Sequence, residues 1–200
     1  MYLTRLTLDL RNAAVRRDLS DAYDMHRSLV RAFVSDDEQS PPRFLWRVEP
    51  ESVWRDPIVL VQSRAEPDWS VFSSSGYFKN PPATKTIDLA ALIETGRLYR
   101  FRLFANPTVT QQGKRYGLSS EDEQNAWLER KGAKCGFSIE TALVTSTDIV
   151  HLRGNDICLQ QTCFEGVLRA TDESALQDAV ESGMGPGKAF GLGMLSLSPR

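Results

Sequence analysis

Two segments of this chain alternate between the faces of an extended strand, and each opens the same succession of elements. In residues 2–10, Tyr2, Thr4, Leu6, Leu8 and Leu10 share one parity, and Leu3, Arg5, Thr7 and Asp9 share the other. In residues 97–106, Tyr99, Phe101 and Leu103 face one way, and Leu98, Arg100, Arg102 and Phe104 face the other. Successive side chains of a strand point to opposite faces, so both segments read as half-buried strands. Asn106-Pro107 ends the second, because proline holds its predecessor in extended geometry and offers no N–H to a ladder.

After the first strand, Ser20 or Asp21 caps a helix with apolar positions Ala22, Tyr23, Met25, Leu29, Val30 and Phe33. Strands follow at 44–48 and 58–62. Residues 67–80, rich in serine and aromatics, hold a short or decayed helix, and 83–87 form a brief strand. After the second strand, Ser119 or Ser120 caps a helix over 121–134. Strands follow at 137–143 and 159–170, Asp172 caps a helix through Val180, and a last strand starts near Met194. The order strand, helix, strand, strand, helix, strand occurs twice. It predicts an α+β protein of two tandem ferredoxin-like (βαββαβ) domains, residues 1–90 and 96–200, joined near 88–96.

Composition narrows the classes of function. At 200 residues, with 41% hydrophobic and 25% charged residues, the chain can bury a substantial core. No apolar run approaches a membrane span, and Met1-Tyr2-Leu3-Thr4-Arg5-Leu6 lacks the plan of a signal peptide. A cytoplasmic protein with no membrane partner is expected. Cys135, Cys158 and Cys163 fit no zinc or disulfide spacing and read as reduced thiols, and His26 and His151 are the two histidines. No metal site and no cofactor are expected.

The formal net charge is −2, which by itself argues against a nucleic-acid partner. The distribution argues for one. Residues 96–119 contain Arg97, Arg100, Arg102, Lys114 and Arg115 and no acid, whereas acids gather in Asp36-Asp37-Glu38 and Glu121-Asp122-Glu123. Such segregation gives one basic face on an acidic protein.

Two local patterns carry chemistry. In residues 183–193, five glycines and Pro186 surround Lys188, just before an apolar strand. Backbone N–H groups beside a lysine suit an anion such as a phosphate, and the same glycines also suit a plain turn between helix and strand. On the first helix, Tyr23 and His26 lie three residues apart, one turn along the surface, with Arg27 and Arg31 beside them. An imidazole transfers protons near neutral pH, and a phenol orients groups or stabilises developing charge. A core-edge histidine with an ordinary hydrogen bond fits the same position, and His151 falls in a loop. The chain has no G-x-S-x-G, no Walker loop, no dinucleotide-binding G-x-G-x-x-G and no ribonucleoprotein motif.

Several stretches in order resemble one family. They include Met1-Tyr2-Leu3-Thr4; Asp21-Ala-Tyr23-Asp-Met-His26-Arg27-Ser-Leu29; Phe44-Leu45-Trp46-Arg47-Val48-Glu49; and Leu60-Val-Gln62-Ser63. They continue in Tyr99-Arg-Phe101-Arg102-Leu103-Phe-Ala105-Asn106-Pro107, Ala126-Trp127-Leu128, Cys163-Phe164-Glu165-Gly166-Val167-Leu168 and the glycine-rich run from Gly183 to Leu197. Together they resemble the CasE CRISPR-associated endoribonucleases, the repeat-processing subunits of type I-E Cascade.

The resemblance implies two tandem ferredoxin-like domains and metal-independent cleavage of precursor CRISPR RNA at the base of the repeat stem-loop. The 2′-hydroxyl attacks, leaving a 2′,3′-cyclic phosphate, and the enzyme keeps the product hairpin as a partner of other Cascade subunits. It implies proton transfer at His26, and orientation or proton transfer at Tyr23. It implies RNA contacts at Arg27, Arg102, Asn106, Lys114, Arg115, Lys188, Gly185 and Gly187. Phe104 stands where relatives often carry arginine, which implies a weaker grip on one phosphate. Residues 145–156 match poorly and are expected to form a mobile loop. A non-catalytic RNA-hairpin-binding subunit and a metabolite-sensing ferredoxin-like domain are the competing readings.

Overall fold

The computed structural model describes residues 1–34, 40–50, 56–151 and 158–200. These divide into two compact units. Met1–Ile87 with Ala189–Gly191 form the first, and Asp88–Lys188 with Leu192–Arg200 form the second. The acidic run Asp36-Asp37-Glu38 lies outside the described residues.

The first unit contains β1 (Tyr2–Thr7), α1 (Ala13–Ser20), α2 (Ala22–Val30), β2 (Phe44–Val48), β3 (Ile58–Ser63) and β4 (Ala83–Thr86). Its sheet order is β2-β3-β1-β4, with every pair antiparallel. That is the ferredoxin-like arrangement, in which the first and third strands lie between the second and fourth. Thr4, Leu6 and Leu8 are buried as their parity requires, but β1 stops at Thr7, and Leu10 is 45% exposed. Leu8 forms an isolated bridge to Phe78, and its N–H donates to the Pro57 carbonyl at 2.9 Å. A short helix, α1, intervenes that apolar periodicity does not announce. Asn12 starts it, its Oδ1 accepting from the N–H of Ala14 at 2.8 Å.

The second helical position of this unit is the 3-10 turn Trp69–Phe72, capped by Asp68. Trp69, Phe72, Tyr77 and Phe78 pack ring on ring around it, at centroid separations of 4.9–6.3 Å. Aromatic area does the work of a helix face here, which explains the missing helical period. Val15, Met25, Leu29, Phe44, Trp46, Val59 and Val61 complete the core.

The second unit begins with the one-turn α3 (Leu89–Leu92) and then β5 (Leu98–Ala105). A small ribbon follows, β6 (Thr108–Gln111) paired with β7 (Lys114–Gly117). Then come α4 (Glu121–Lys134), β8 (Phe137–His151), β9 (Cys158–Ala170), α5 (Glu173–Ser182) and β10 (Leu195–Pro199). The sheet order β10-β5-β9-β8 repeats the topology of the first unit. Ser120 caps α4, and Glu121, Asp122 and Glu123 fill its first turn, where carboxylates favour the positive end of the helix dipole. Gly136, at φ +75°, ends α4, and its carbonyl accepts the N–H groups of Thr171 and Asp172. A Cβ there would sit 2.3 Å from the Asp172 carbonyl oxygen, so only glycine lets the end of α4 meet the start of α5.

Tyr99, Phe101 and Leu103 are buried with Trp127, Leu128, Phe164, Leu168 and Leu176. Each such side chain contributes about 1.5–3 kcal/mol on burial. Residues 145–151, expected in a mobile loop, are strand, and pairing continues to His151 opposite Cys158. His151 is therefore a strand residue, its Nδ1 3.1 Å from the Cys158 thiol. The rest of that expected loop, 152–156, lies outside the described residues. Polar residues on the exposed side of β8 hide its strand period.

Candidate active site

The helix α2 begins at Asp21, whose Oδ1 accepts the N–H of Tyr23 at 2.8 Å. Its inner face buries Met25, Ser28 and Leu29. Tyr23, 52% exposed, lies on the outer side, and His26 lies between the two. The imidazole stacks on Phe44 of β2, with centroids 5.1 Å apart and planes 15° apart, and Phe44 stacks in turn on Phe33 at 4.7 Å. The His26 Nδ1 is enclosed and has no hydrogen-bond partner among the described residues. Burial lowers the proton affinity of His26 below the ordinary histidine value of 6.5, because the cation loses hydration that nothing replaces. At neutral pH the ring is uncharged, the form that accepts a proton.

Phe44 and Trp46 are two apart on β2 and so share a face. Gly191, in the Ala189–Gly191 segment of the same unit, sits against Trp46, where a Cβ would come 3.0 Å from the indole. One strand face thus carries both the histidine and part of the glycine-rich tail.

A hydrogen-bond network centred on the buried Asp18 carboxylate holds α2 from behind. The Tyr77 hydroxyl donates to the Asp18 carboxylate at 2.6 Å, and Arg17 donates to the same carboxylate at 2.7 Å. Arg17 also reaches the Ser28 hydroxyl at 3.5 Å. Burial and the adjacent carboxylate push the Tyr77 phenol well above its ordinary range. Tyr77 thus remains a neutral donor and ties α1 and α2 to the aromatic turn. None of these anchors is legible as a motif.

The cationic residues expected to contact RNA differ in availability. Arg27 is 68% exposed, 5.9 Å from the Tyr23 ring centroid and at the limit of an ion pair with Asp24. Lys114 and Arg115 are exposed on β7 and make no ion pair among the described residues. Arg102 donates to the Glu165 carboxylate at 2.6 Å. Asn106 is 4% exposed, and its Oδ1 accepts the Gln160 N–H at 3.2 Å, which braces β5 against β9. Phe104, where a phosphate-binding arginine was at issue, is buried.

Lys188 Nζ donates to the Gly185 carbonyl at 2.7 Å and closes the glycine loop on itself. The N–H groups of Met184 and Gly193 are bound to Gly193 and Phe104 carbonyls, so part of the expected anion cradle is spent on the turn. Gly185 has φ +74° and packs on Trp127, and Gly187 has φ +92° and packs on Leu192. Sequence reasoning missed the exposed Tyr116 of β7. The signal was present: Gln112-Gly113 is a tight-turn pair between two short alternating runs.

The model of the family described as CRISPR associated protein matches residues 1–199. The CRISPR-associated endoribonuclease Cse3 of Thermus thermophilus is 36% identical over 215 aligned positions, covering both chains in full. The Cascade subunit CasE of Escherichia coli is 30% identical over 214, again covering both in full. A solved structure of Thermus thermophilus Cse3 with an RNA representing a pre-cleavage complex superposes with a TM-score of 0.89 at 37% identity, covering 99% of this chain and 98% of that one. Two sheets of ferredoxin-like order and full-length similarity to these proteins agree: the chain belongs to the CRISPR-associated protein family, in its CasE (Cse3) branch.

Proposed function

We infer that this chain is an endoribonuclease that processes CRISPR repeat RNA as a subunit of Cascade, cutting precursor RNA at the base of the repeat stem-loop without a metal ion. The reaction needs no group beyond the side chains present. The 2′-oxygen attacks the adjacent phosphorus as its proton leaves, the bond to the 5′-oxygen breaks, and that oxygen takes up a proton. The products are a 2′,3′-cyclic phosphate and a 5′-hydroxyl. The observation that carries this reading is the uncharged, half-buried imidazole of His26 next to the exposed phenol of Tyr23 on one helix. With Nδ1 enclosed, Nε2 is the nitrogen that exchanges a proton with the RNA. Tyr23 orients the scissile phosphate or donates to it.

Residues 1–90 supply the chemistry and, through Arg27, one phosphate contact, and residues 96–200 supply the rest of the grip. Arg27, Lys114 and Arg115 meet phosphates directly. Arg102 does so by exchanging Glu165, and Lys188 by exchanging the Gly185 carbonyl. Gly185 and Gly187 let the RNA backbone come close, and Asn106 holds the strands that present these groups. The protein keeps the product hairpin and works in the cytoplasm, where its thiols stay reduced. The test is incubation of purified protein with repeat RNA in EDTA. A discrete cut ending in a cyclic phosphate is expected, and His26→Ala is expected to bind the hairpin but not cut it. Binding with no cut by the unaltered protein leaves a non-catalytic hairpin-binding subunit instead.

A further inference from the structure

The last described rung between β8 and β9 sets His151 directly opposite Cys158. Directly opposed residues of an antiparallel pair turn their side chains to the same face, so the register itself makes the imidazole and the thiol neighbours. His151 Nδ1 lies 3.1 Å from the Cys158 Sγ, and both residues are exposed. The next two rungs of that face carry Ile149 with Gln160 and Thr147 with Thr162, none of which titrates near neutral pH. On these rungs the imidazole is therefore the group that can take the thiol proton, with Nε2 carrying the ring hydrogen and Nδ1 accepting.

The other two cysteines are placed differently. Cys163 is 1% exposed, which closes it to reagents in water. Cys135 is half-buried at the end of α4, and burial pushes its thiol up. A sulfur becomes a nucleophile when it can shed its proton and reach solvent. A cysteine and a histidine within hydrogen-bond reach meet the first condition, and exposure meets the second. Neither His151 nor Cys158 has another polar partner among the described residues, so no third group orients the ring for turnover. The pair suits a stoichiometric reaction at sulfur.

We propose that Cys158 is a thiol-modification site for peroxides, with His151 as its base. The thiol proton passes to Nδ1 as the sulfur attacks one peroxide oxygen. The O–O bond breaks, and the departing oxygen takes the proton from the imidazolium and leaves as water or an alcohol. Sulfur is oxidised by two electrons to a sulfenic acid, and the peroxide is reduced by two. A small cellular thiol then displaces the hydroxyl as water, giving a mixed disulfide, and a second thiol displaces the first and restores Cys158.

The test exposes the full-length protein, reduced and then freed of reductant, to hydrogen peroxide with dimedone, which traps sulfenic acids. The three cysteine peptides are followed by mass spectrometry. Cys158 should be labelled first, and His151→Gln and His151→Ala should each slow its labelling on the order of tenfold. Labelling of Cys135 should be the same in all three proteins, and Cys158→Ser should abolish the fast phase. Labelling of Cys158 no faster than of Cys135, or at the parent rate in either His151 variant, overturns the proposal. A change at Cys135 matching that at Cys158 would mean that the substitutions act through the fold, and that too overturns it. None of these outcomes bears on the RNA-processing reading.

Discussion

The two units share a topology and use it differently. In the first, helix α2 is clamped by the buried pair Tyr77 and Asp18, reached from the surface by Arg17, and its histidine is wedged on Phe44 with one nitrogen enclosed. In the second, the distinctive groups are outside: Lys114, Arg115 and Tyr116 stand exposed on a ribbon inserted between the first strand and the first helix of the motif. On the proposed function, the difference separates two tasks. Proton transfer needs a group whose solvation and position are controlled, which burial supplies. Gripping a polyanion needs charge that water and counterions can leave, which exposure supplies.

The sharpest way to break this division is His26→Ala. Single-turnover cleavage of repeat RNA should fall on the order of a hundred- to ten-thousand-fold. Hairpin affinity, measured by filter binding, should stay within about twofold. Cleavage at the parent rate would remove the first unit from the chemistry.

A smaller effect tests the clamp. Tyr77→Phe deletes one of the donors to the fully buried Asp18 carboxylate and leaves Arg17 in place, and chemical denaturation should show a loss of about 1–3 kcal/mol. The cleavage rate should drop with it at temperatures where the protein remains folded, because α2 loses its support. An unchanged midpoint would mean that the network does not hold α2.

In the second unit, Lys114→Gln with Arg115→Gln should weaken hairpin binding at low salt and reduce the slope of log affinity against log salt by about 2. The single-turnover rate at saturating protein should change little. A large loss of rate with an unchanged salt slope would reverse the roles of the two units.

The subtlest test is pH. Burial lowers the proton affinity of His26, so the unfolded chain takes up a proton there that the folded chain resists. Its contribution to stability is therefore present above the ordinary histidine value of 6.5 and is lost as pH falls below it. The acid limb of the cleavage profile should lie below 6.5 for the same reason, and the acid sensitivity of stability should lessen in His26→Phe, which keeps the stack on Phe44. An acid limb above 6.5 would mean a carboxylate or phosphate stabilises the imidazolium.

Most of the element order is legible because strands declare themselves by parity and helices by their caps. Ser120 and Asp172 mark α4 and α5, and the alternation of Tyr99, Phe101 and Leu103 marks β5. The misses have physical causes. Helix α1 is eight residues long, too short for a helical period to stand out, and is held by Asn12 and by contact with α2. The aromatic turn at Trp69–Phe72 replaces a helix by ring packing without a period. Residues 145–151 are strand because β9 pairs with them, not because their own pattern demands it. For the site, the sequence singled out Tyr23 and His26. It also grouped Arg102, Asn106 and Lys188 with Lys114 and Arg115, although the first three have partners within the fold.

By itself, the sequence determined the twofold succession of strands and helices, the residue types that can move protons or meet phosphates, and the family. Those depend on local periodicity, capping and composition, which a linear string contains. Only the tertiary structure decided that the His26 Nδ1 is enclosed, that Arg102 faces Glu165, that Asn106 braces two strands, and that Tyr116 is left in water. Solvation and pairing are set by neighbours distant along the chain, and the chemistry of a side chain follows from them.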